Sequence, residues 1–299
     1  MRAGSAVADK RPTSWAFAED DEIVPGRYAV DLLGGGERSE AWIAWDERLH
    51  TLVVAKLLRP DQVDDPQARA GLEREARALA ALGHPSIVRC FDAVLDGPRP
   101  HLVLESLDGP RLSTLLRRYG PLAPEQLVPL AIEIGSALAF MHDAGFVHLD
   151  VKPRNLIMGA TPKLIDLGIA RTLKEVRLLT APLGTDAYMA PEQTWVETVR
   201  TVGPHTDAWG LAVTLYEALE GRLPFARTDA GTDERYPQRT SRAAPFRRAA
   251  AEPLASVIAG GLARDAHSRP LPADMISALE PLVPGARRTA RRRLRRRVR

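Results

Sequence analysis

The chain changes character at about Gly109. Before it, short runs rich in β-branched and aromatic residues alternate with turn residues: "RYAVDLL", "SEAWIAW" and "TLVVAKLL" are separated by "GGGER" and "DERLH". Such runs suit strands joined by tight connections, and they read as an antiparallel three-strand meander. "DPQARAGLEREARALAALG" (65–83) breaks the pattern, with Leu72, Ala76, Leu79 and Leu82 at helical spacing and Gly83 as a stop. Two more strands follow, "IVRCFDAV" and "PHLVLES". After Gly109 long periodic segments dominate: "RLSTLLRRY", "PEQLVPLAIEIGSALAFMHDAG", "TDAWGLAVTLYEALEG", "EPLASVIAGGLAR" and "ADMISALEPLV" predict a mainly helical second half. Pro129 lies inside the second of these, where a proline costs about 3 kcal/mol in a regular helix, and predicts a kink or a late helix start. Residues 226–250 show no readable period, and residues 1–25 read as a loose lead-in. The fold class is α+β.

Polar clusters interrupt this frame. "FVHLDVKPRNLIM" (146–158) sets His148, Asp150, Lys152 and Asn155 among apolar residues. Only five of the 41 basic residues are lysines, so a lysine inside a polar cluster is mildly informative, because Arg and Lys differ where a compact point charge is needed. Lys56 ends the apolar strand "TLVVAK" and needs a partner, which Glu75 on the following helix offers. The Gly-rich turn in "LLGGGERSEAWIAW" would let backbone N–H groups approach an anion such as a nucleotide phosphate. Singly, each has an ordinary reading: a hairpin turn, or a surface salt bridge worth little.

Their order is more specific. Gly-rich loop, strand lysine and helix glutamate are followed by "HLDVKPRN", "LIDLGIAR" and "GTDAYMAPEQ". The set resembles the protein kinase superfamily, specifically the eukaryotic-like (Hanks-type) serine/threonine kinases of bacteria, from about Gly26 to Val283. The resemblance implies a bilobal fold: a small antiparallel β-sheet lobe with one main helix (26–107) and a larger, mostly helical lobe (108–283). It implies ATP with Mg²⁺ (or Mn²⁺) as the phosphoryl donor and protein Ser/Thr hydroxyls as acceptors. Gly34, Gly36 and Ser39 would take the three glycine places of the loop over the phosphates, and Lys56 would contact the α- and β-phosphates while pairing with Glu75. Val54 would line the nucleotide site, Leu104 would stand at the gatekeeper place, and Glu105 to Leu107 would meet adenine through their backbone. Asp150 would orient the acceptor hydroxyl and take its proton, Lys152 would neutralise charge on the γ-phosphate, and Asn155 and Asp166 would hold the metal. Glu192 and Arg269 resemble the family's buried ion pair, Asp207 the residue bracing the catalytic loop, and His148 a supporting residue beneath it. Thr185 takes the place of a hydroxyl near the catalytic Asp and Lys.

The chain departs from the family pattern at three places. Ser39 replaces the third glycine, and Leu167 stands where Phe is usual in "DFG". Leu149 replaces the Arg that usually precedes the catalytic Asp. That Arg commonly receives a phosphorylated activation-loop residue, so a non-RD kinase that does not depend strongly on phosphorylation of "RTLKEVRLLTAPLGT" is expected. The alternatives are a nucleotide-binding pseudokinase or scaffold and a small-molecule kinase; Lys152 and "GTDAYMAPEQ" speak against the latter.

Charge separates the tail from the body. Residues 287–299, "RRTARRRLRRRVR", hold nine Arg and no acid, so the rest carries 41 − 9 = 32 basic against 38 acidic residues, a net of −6. The Arg-rich tail (284–299) suits a solvated end or an acidic partner, either an anionic membrane surface or nucleic acid. A single cysteine, Cys90, excludes an internal disulfide and fits a reducing compartment. With no signal segment or membrane span evident, a cytoplasmic protein is expected, with peripheral membrane association through the tail as one reading.

Overall fold

The structure is a computed structural model that describes residues 12–194, 201–225, 235–248 and 252–283. The Arg-rich tail and part of 226–250 lie outside the described residues. The chain forms two units, one holding the residues up to Gly83 with Val88–Leu107, the other His84–Ile87 with the residues from Asp108 on.

The first unit is a six-stranded antiparallel sheet with one long helix. Its strands are β1 (Glu22–Val24), β2 (Arg27–Gly35), β3 (Ser39–Asp46), β4 (Thr51–Leu58), β5 (Cys90–Val94) and β6 (His101–Glu105), in the order β1-β2-β3-β4-β6-β5. Alternation along β4 sorts its side chains by face. Val53, Ala55 and Leu57 join a buried cluster with Ile23, Val24, Ala29, Trp42, Ala44 and Val103, which leaves Val54 and Lys56 together on the opposite face. Helix α1 (Pro66–Ala81) starts with Pro66 after Asp65, whose side chain accepts from the Ala68 N–H at 2.7 Å. Ala68, Leu72, Glu75, Ala78 and Leu79 form its buried stripe, so Glu75 is the one acid on an otherwise apolar face.

Part of the stretch expected as a loose lead-in is packed. β1 pairs with β2, and Trp15 and Phe17 lie against the buried cluster of the sheet. Trp15 stacks on Phe17 at 6.1 Å, and Phe17 meets Trp42 edge-on at 5.4 Å. These rings cover an apolar sheet face that residues 26–107 leave open, and the burial of large aromatic surface orders the segment.

The second unit is mainly helical: α2 (Leu112–Tyr119), α3 (Pro124–Asp143), α4 (Leu173–Val176), α5 (Pro204–Glu220), α6 (Leu254–Gly261) and α7 (Pro272–Leu279), with four two-residue strands, β7 (Phe146–Val147), β8 (Leu156–Ile157), β9 (Lys163–Leu164) and β10 (Arg171–Thr172). β7 pairs with β10 and β8 with β9. α3 packs on α5 and α7, and α5 on α6. α5 is buried along almost its whole length, with Trp209 and Tyr216 among the largest buried side chains. The late helix start expected at Pro129 is not found: α3 begins at Pro124 and runs through it. Pro129 and Glu125 are both exposed, so the carbonyl deprived of its helical partner faces water. Among the described residues no helix is long and apolar enough to cross a membrane.

Candidate active site

The segment from His148 to Asn155 is a loop between β7 and β8, and it would be mobile without an anchor. Asp207, on the first turn of α5, supplies one: its carboxylate accepts the His148 and Leu149 N–H groups, each at 2.8 Å, and pairs with His142 Nε2 at 2.8 Å. Asp207 is 1% exposed. Burial alone would raise its pKa, but the hydrogen bond and charge of His142, with His148 and its N–H, hold it below the usual carboxylate range. His148 is fully buried, accepts the Asp150 N–H on Nδ1 at 3.2 Å and has no partner on Nε2. It supports the loop.

The anchored loop brings four polar side chains together. Asp150 Oδ1 accepts from the Thr185 hydroxyl at 2.7 Å, and Oδ2 accepts from Lys152 Nζ at 2.5 Å and Asn155 Nδ2 at 3.1 Å. Lys152 Nζ also donates to Thr185 Oγ1 at 2.5 Å. Asn155 Nδ2 donates to the Asp150 carbonyl at 2.9 Å as well, so both of these bonds use the amide nitrogen, and Oδ1 is the side chain's acceptor atom. The Ile165 N–H bonds the Asn155 carbonyl at 2.9 Å and so sets Asp166 one residue from it, with φ +65°. Among the described residues no group of three His, Cys, Asp or Glu could hold a metal unaided. Asn155 and Asp166 instead offer oxygen donors of the kind that bind Mg²⁺ jointly with substrate phosphates, so the residues present fit such an ion.

Leu149 is 4% exposed and sits in an apolar cluster with Val147, Val176 and Val202, flanked by Ile169, Leu179 and Leu183. Its φ is +69°, a region costly for a residue with a Cβ. Its surroundings hold it there. The N–H is bound by Asp207, and the carbonyl accepts from Gln193 Nε2 at 3.0 Å, an amide that also bonds the Leu183 carbonyl at 2.8 Å. Gly184, with φ +134°, lies so near that a Cβ there would come within 2.9 Å of the Leu149 carbonyl. The "GT" that precedes "DAYMAPEQ" therefore combines a close approach at Gly184 with a hydroxyl at Thr185. Deeper in this unit, Arg269 forks onto Glu192 at 2.7 and 2.9 Å, Thr206 donates to the same carboxylate at 2.8 Å, and the guanidinium lies 4.9 Å over the Trp209 ring.

In the first unit Lys56 Nζ donates to both oxygens of Glu75, at 2.8 and 2.7 Å. Glu75 is 2% exposed and Lys56 half-buried, so the pair is shielded mainly on its carboxylate side. Val54 lies beside Lys56 on the same face of β4, with Leu104 paired to it on β6. Glu105 ends β6, its N–H bonding the Arg89 carbonyl at 2.9 Å, and Leu107 follows half-buried. The turn between β2 and β3 closes by a 2.9 Å bond from the Gly36 N–H to the Ser39 carbonyl, with Gly34 and Ser39 on its two strands. Motif spacing did not single out His142, Gln193, Glu40 or Arg59. His142 and Gln193 serve the 148–155 loop from distant positions, and the trace of Arg59 in the sequence is an extra glycine, Gly35, in the turn.

The protein kinase domain family model matches residues 28–278. Serine/threonine-protein kinase PknB of Mycobacterium leprae is 39% identical over 209 residues, 67% of this chain and 33% of that protein. A probable serine/threonine-protein kinase of Streptomyces coelicolor, SCO3848, is 36% identical over 218 residues, 69% of this chain and 32% of that protein. Serine/threonine-protein kinase pkn2 of Myxococcus xanthus is 32% identical over 299 aligned residues, 90% of this chain and 35% of that protein. The chain thus spans about a third of the length of the curated relatives it matches. With the two units and the Asp150 cluster, these matches place the chain in the protein kinase family, among the Hanks-type serine/threonine kinases of bacteria.

Proposed function

We propose that this protein transfers the γ-phosphoryl group of Mg-ATP to Ser or Thr hydroxyls of protein substrates. The observation that carries this reading is the Asp150 cluster: a carboxylate, an ammonium and a hydroxyl in mutual hydrogen-bond contact. Asp150 orients the acceptor hydroxyl and receives its proton as the oxygen bonds to the γ-phosphorus and the bond to the β–γ bridging oxygen breaks, releasing ADP. Lys152 offsets charge on the transferred group, and Thr185 holds both side chains in place. Lys56, fixed by Glu75, binds the α- and β-phosphates, under the Gly34–Ser39 turn; Val54, Glu105 and Leu107 receive the adenine. A Mg²⁺ ion held by Asn155 and Asp166 would supply positive charge to the phosphate oxygens, a role Mn²⁺ could share. Transfer of labelled γ-phosphate to a generic protein acceptor, wild type against Asp150→Asn, tests this: equal signals would overturn it.

We also infer a non-RD mode of activation. Leu149 fills an apolar cluster with Val176, Leu179 and Leu183 of the activation segment, so packing stands where a phosphate–arginine pair would otherwise order that segment. Thr180 is then dispensable.

For residues 287–299 we propose an acidic partner, an anionic membrane surface or nucleic acid, on the strength of nine Arg without an acid. Deleting these residues should abolish salt-sensitive binding to anionic liposomes or to nucleic acid. Unchanged binding to both would overturn this assignment.

A further inference from the structure

Arg59, just beyond β4, belongs to none of the motifs above, yet it holds both sides of the glycine-rich turn. Its Nε donates to the Gly36 carbonyl at 2.7 Å, and its backbone N–H bonds the Arg38 carbonyl at 3.0 Å. Its Nη1 meets Glu40 Oε1 at 3.2 Å and also donates to the Thr13 carbonyl. Glu40 is 2% exposed and accepts the Trp42 indole N–H at 3.1 Å. A Cβ at Gly35 would fall 2.9 Å from Arg59 Nη2 and 2.7 Å from the Ser39 carbonyl. The extra glycine in "GGG" is therefore the space that the guanidinium and the turn occupy.

The lead-in segment reaches the same point. Beside the Thr13 carbonyl, Trp15 Nε1 donates to the Leu58 carbonyl at 2.7 Å, one residue before Arg59. The Arg99 guanidinium lies 5.3 Å from the Trp15 ring centre and 5.0 Å from that of Phe17, while its Nη1 bonds the carbonyls of Glu22 and Ile23 at 2.9 and 2.7 Å. The segment is thus fastened at both ends of residues 13–23, and its fastening runs through the residue that grips the turn.

We propose that residues 13–18 and Arg59 form a brace that pre-sets the Gly34–Ser39 turn for nucleotide phosphates, with Arg59 as a positioning residue. This rests on the kinase reading for the turn's ligand, while the brace itself does not. A glycine-rich turn free to move costs entropy when it closes on a ligand, and a brace lowers that cost before the ligand arrives. The lead-in thereby sets nucleotide affinity without touching the nucleotide.

The test has two readouts on the full chain. Hydrogen exchange in peptides covering 33–40, measured without nucleotide, should speed up in both Arg59→Ala and Trp15→Ala. The dissociation constant of a fluorescent ATP analogue with Mg²⁺, and KM for ATP, should rise about tenfold in Arg59→Ala, because the ordering of the turn is then paid on binding, with kcat changed far less. Arg59→Lys should recover part of the affinity, and the double variant Trp15→Ala/Arg59→Ala should lose less than the two single losses combined. Unchanged exchange in folded Arg59→Ala protein would overturn the brace, and faster exchange with unchanged affinity would overturn its role in binding. A wild type that binds no nucleotide would overturn the kinase reading and the nucleotide role together, with the exchange data still reporting on the brace.

Discussion

Thr185 donates its hydroxyl hydrogen to Asp150 Oδ1 at 2.7 Å and at the same time accepts from Lys152 Nζ at 2.5 Å. One side chain from the "GTDAYMAPEQ" segment therefore fixes the spacing of the two charged groups proposed to act on acceptor and phosphate. Thr185→Ala should lower kcat by about ten- to a hundredfold and leave KM for ATP nearly unchanged, while Thr185→Ser stays within about threefold of wild type. Steady-state kinetics with varied ATP checks this.

Leu149 tests the replacement of charge by packing. Leu149→Ala leaves a cavity among Val147, Val176 and Val202 and should cost about 2–4 kcal/mol, read from urea unfolding. Thr180→Ala should keep most of the wild-type rate in a purified assay. Loss of activity in Thr180→Ala would contradict activation by packing.

Much of each polar cluster is legible in the sequence, because its chemistry is local. Asp150 and Asn155 lie five positions apart, and Lys56 and Glu75 nineteen, within one strand–helix pair. The sheet and helices are legible for the same reason: their periods are carried by neighbouring residues, as with Leu72 and Leu79 of α1, both buried, although Ala76 of the expected row is only half-buried. What escapes is long-range. Trp15 has no period around it, and its partner carbonyl at Leu58 is 43 positions away. His142 meets Asp207 across 65 positions, and Pro129 is tolerated because its face of α3 is exposed, which composition cannot show. Gly35 looks like loop filler until Arg59 is seen above it.

Asp207 gives the site a pH signature. Its native pKa is lowered, since the His142 and N–H interactions outweigh the opposing effect of burial. A carboxyl so depressed contributes stability that is full above its unfolded pKa, about 3.9, and is lost as pH falls through the native value. Asp207→Asn removes this contribution and turns an amide N–H₂ toward a donor, so it should destabilise the protein at pH 7 and release the His148–Leu149 loop. The melting-temperature gap between wild type and Asp207→Asn should narrow as pH drops below about 4. A gap that widens in acid would contradict the assignment.

The Glu192–Arg269 pair is a structural tie, with side chains 5% and 0% exposed. Arg269→Met leaves the Glu192 carboxylate buried without its fork and should cost about 3–5 kcal/mol. Denaturant unfolding measures this directly. The double variant Glu192→Leu/Arg269→Met should recover part of the loss, because it removes the stranded charge.

Asp150, set by Lys152, Thr185 and Asn155, is proposed to serve phosphoryl transfer to Ser or Thr. The most direct test of this is the initial rate of γ-phosphate transfer to a protein acceptor at saturating Mg-ATP, with phosphoamino-acid analysis of the product, for wild type and Asp150→Asn. Phosphoserine or phosphothreonine is expected from wild type, with a rate lower by about a thousandfold or more in the variant, whose nucleotide affinity is retained. Equal rates in the two proteins, or no transfer by wild type, would contradict it.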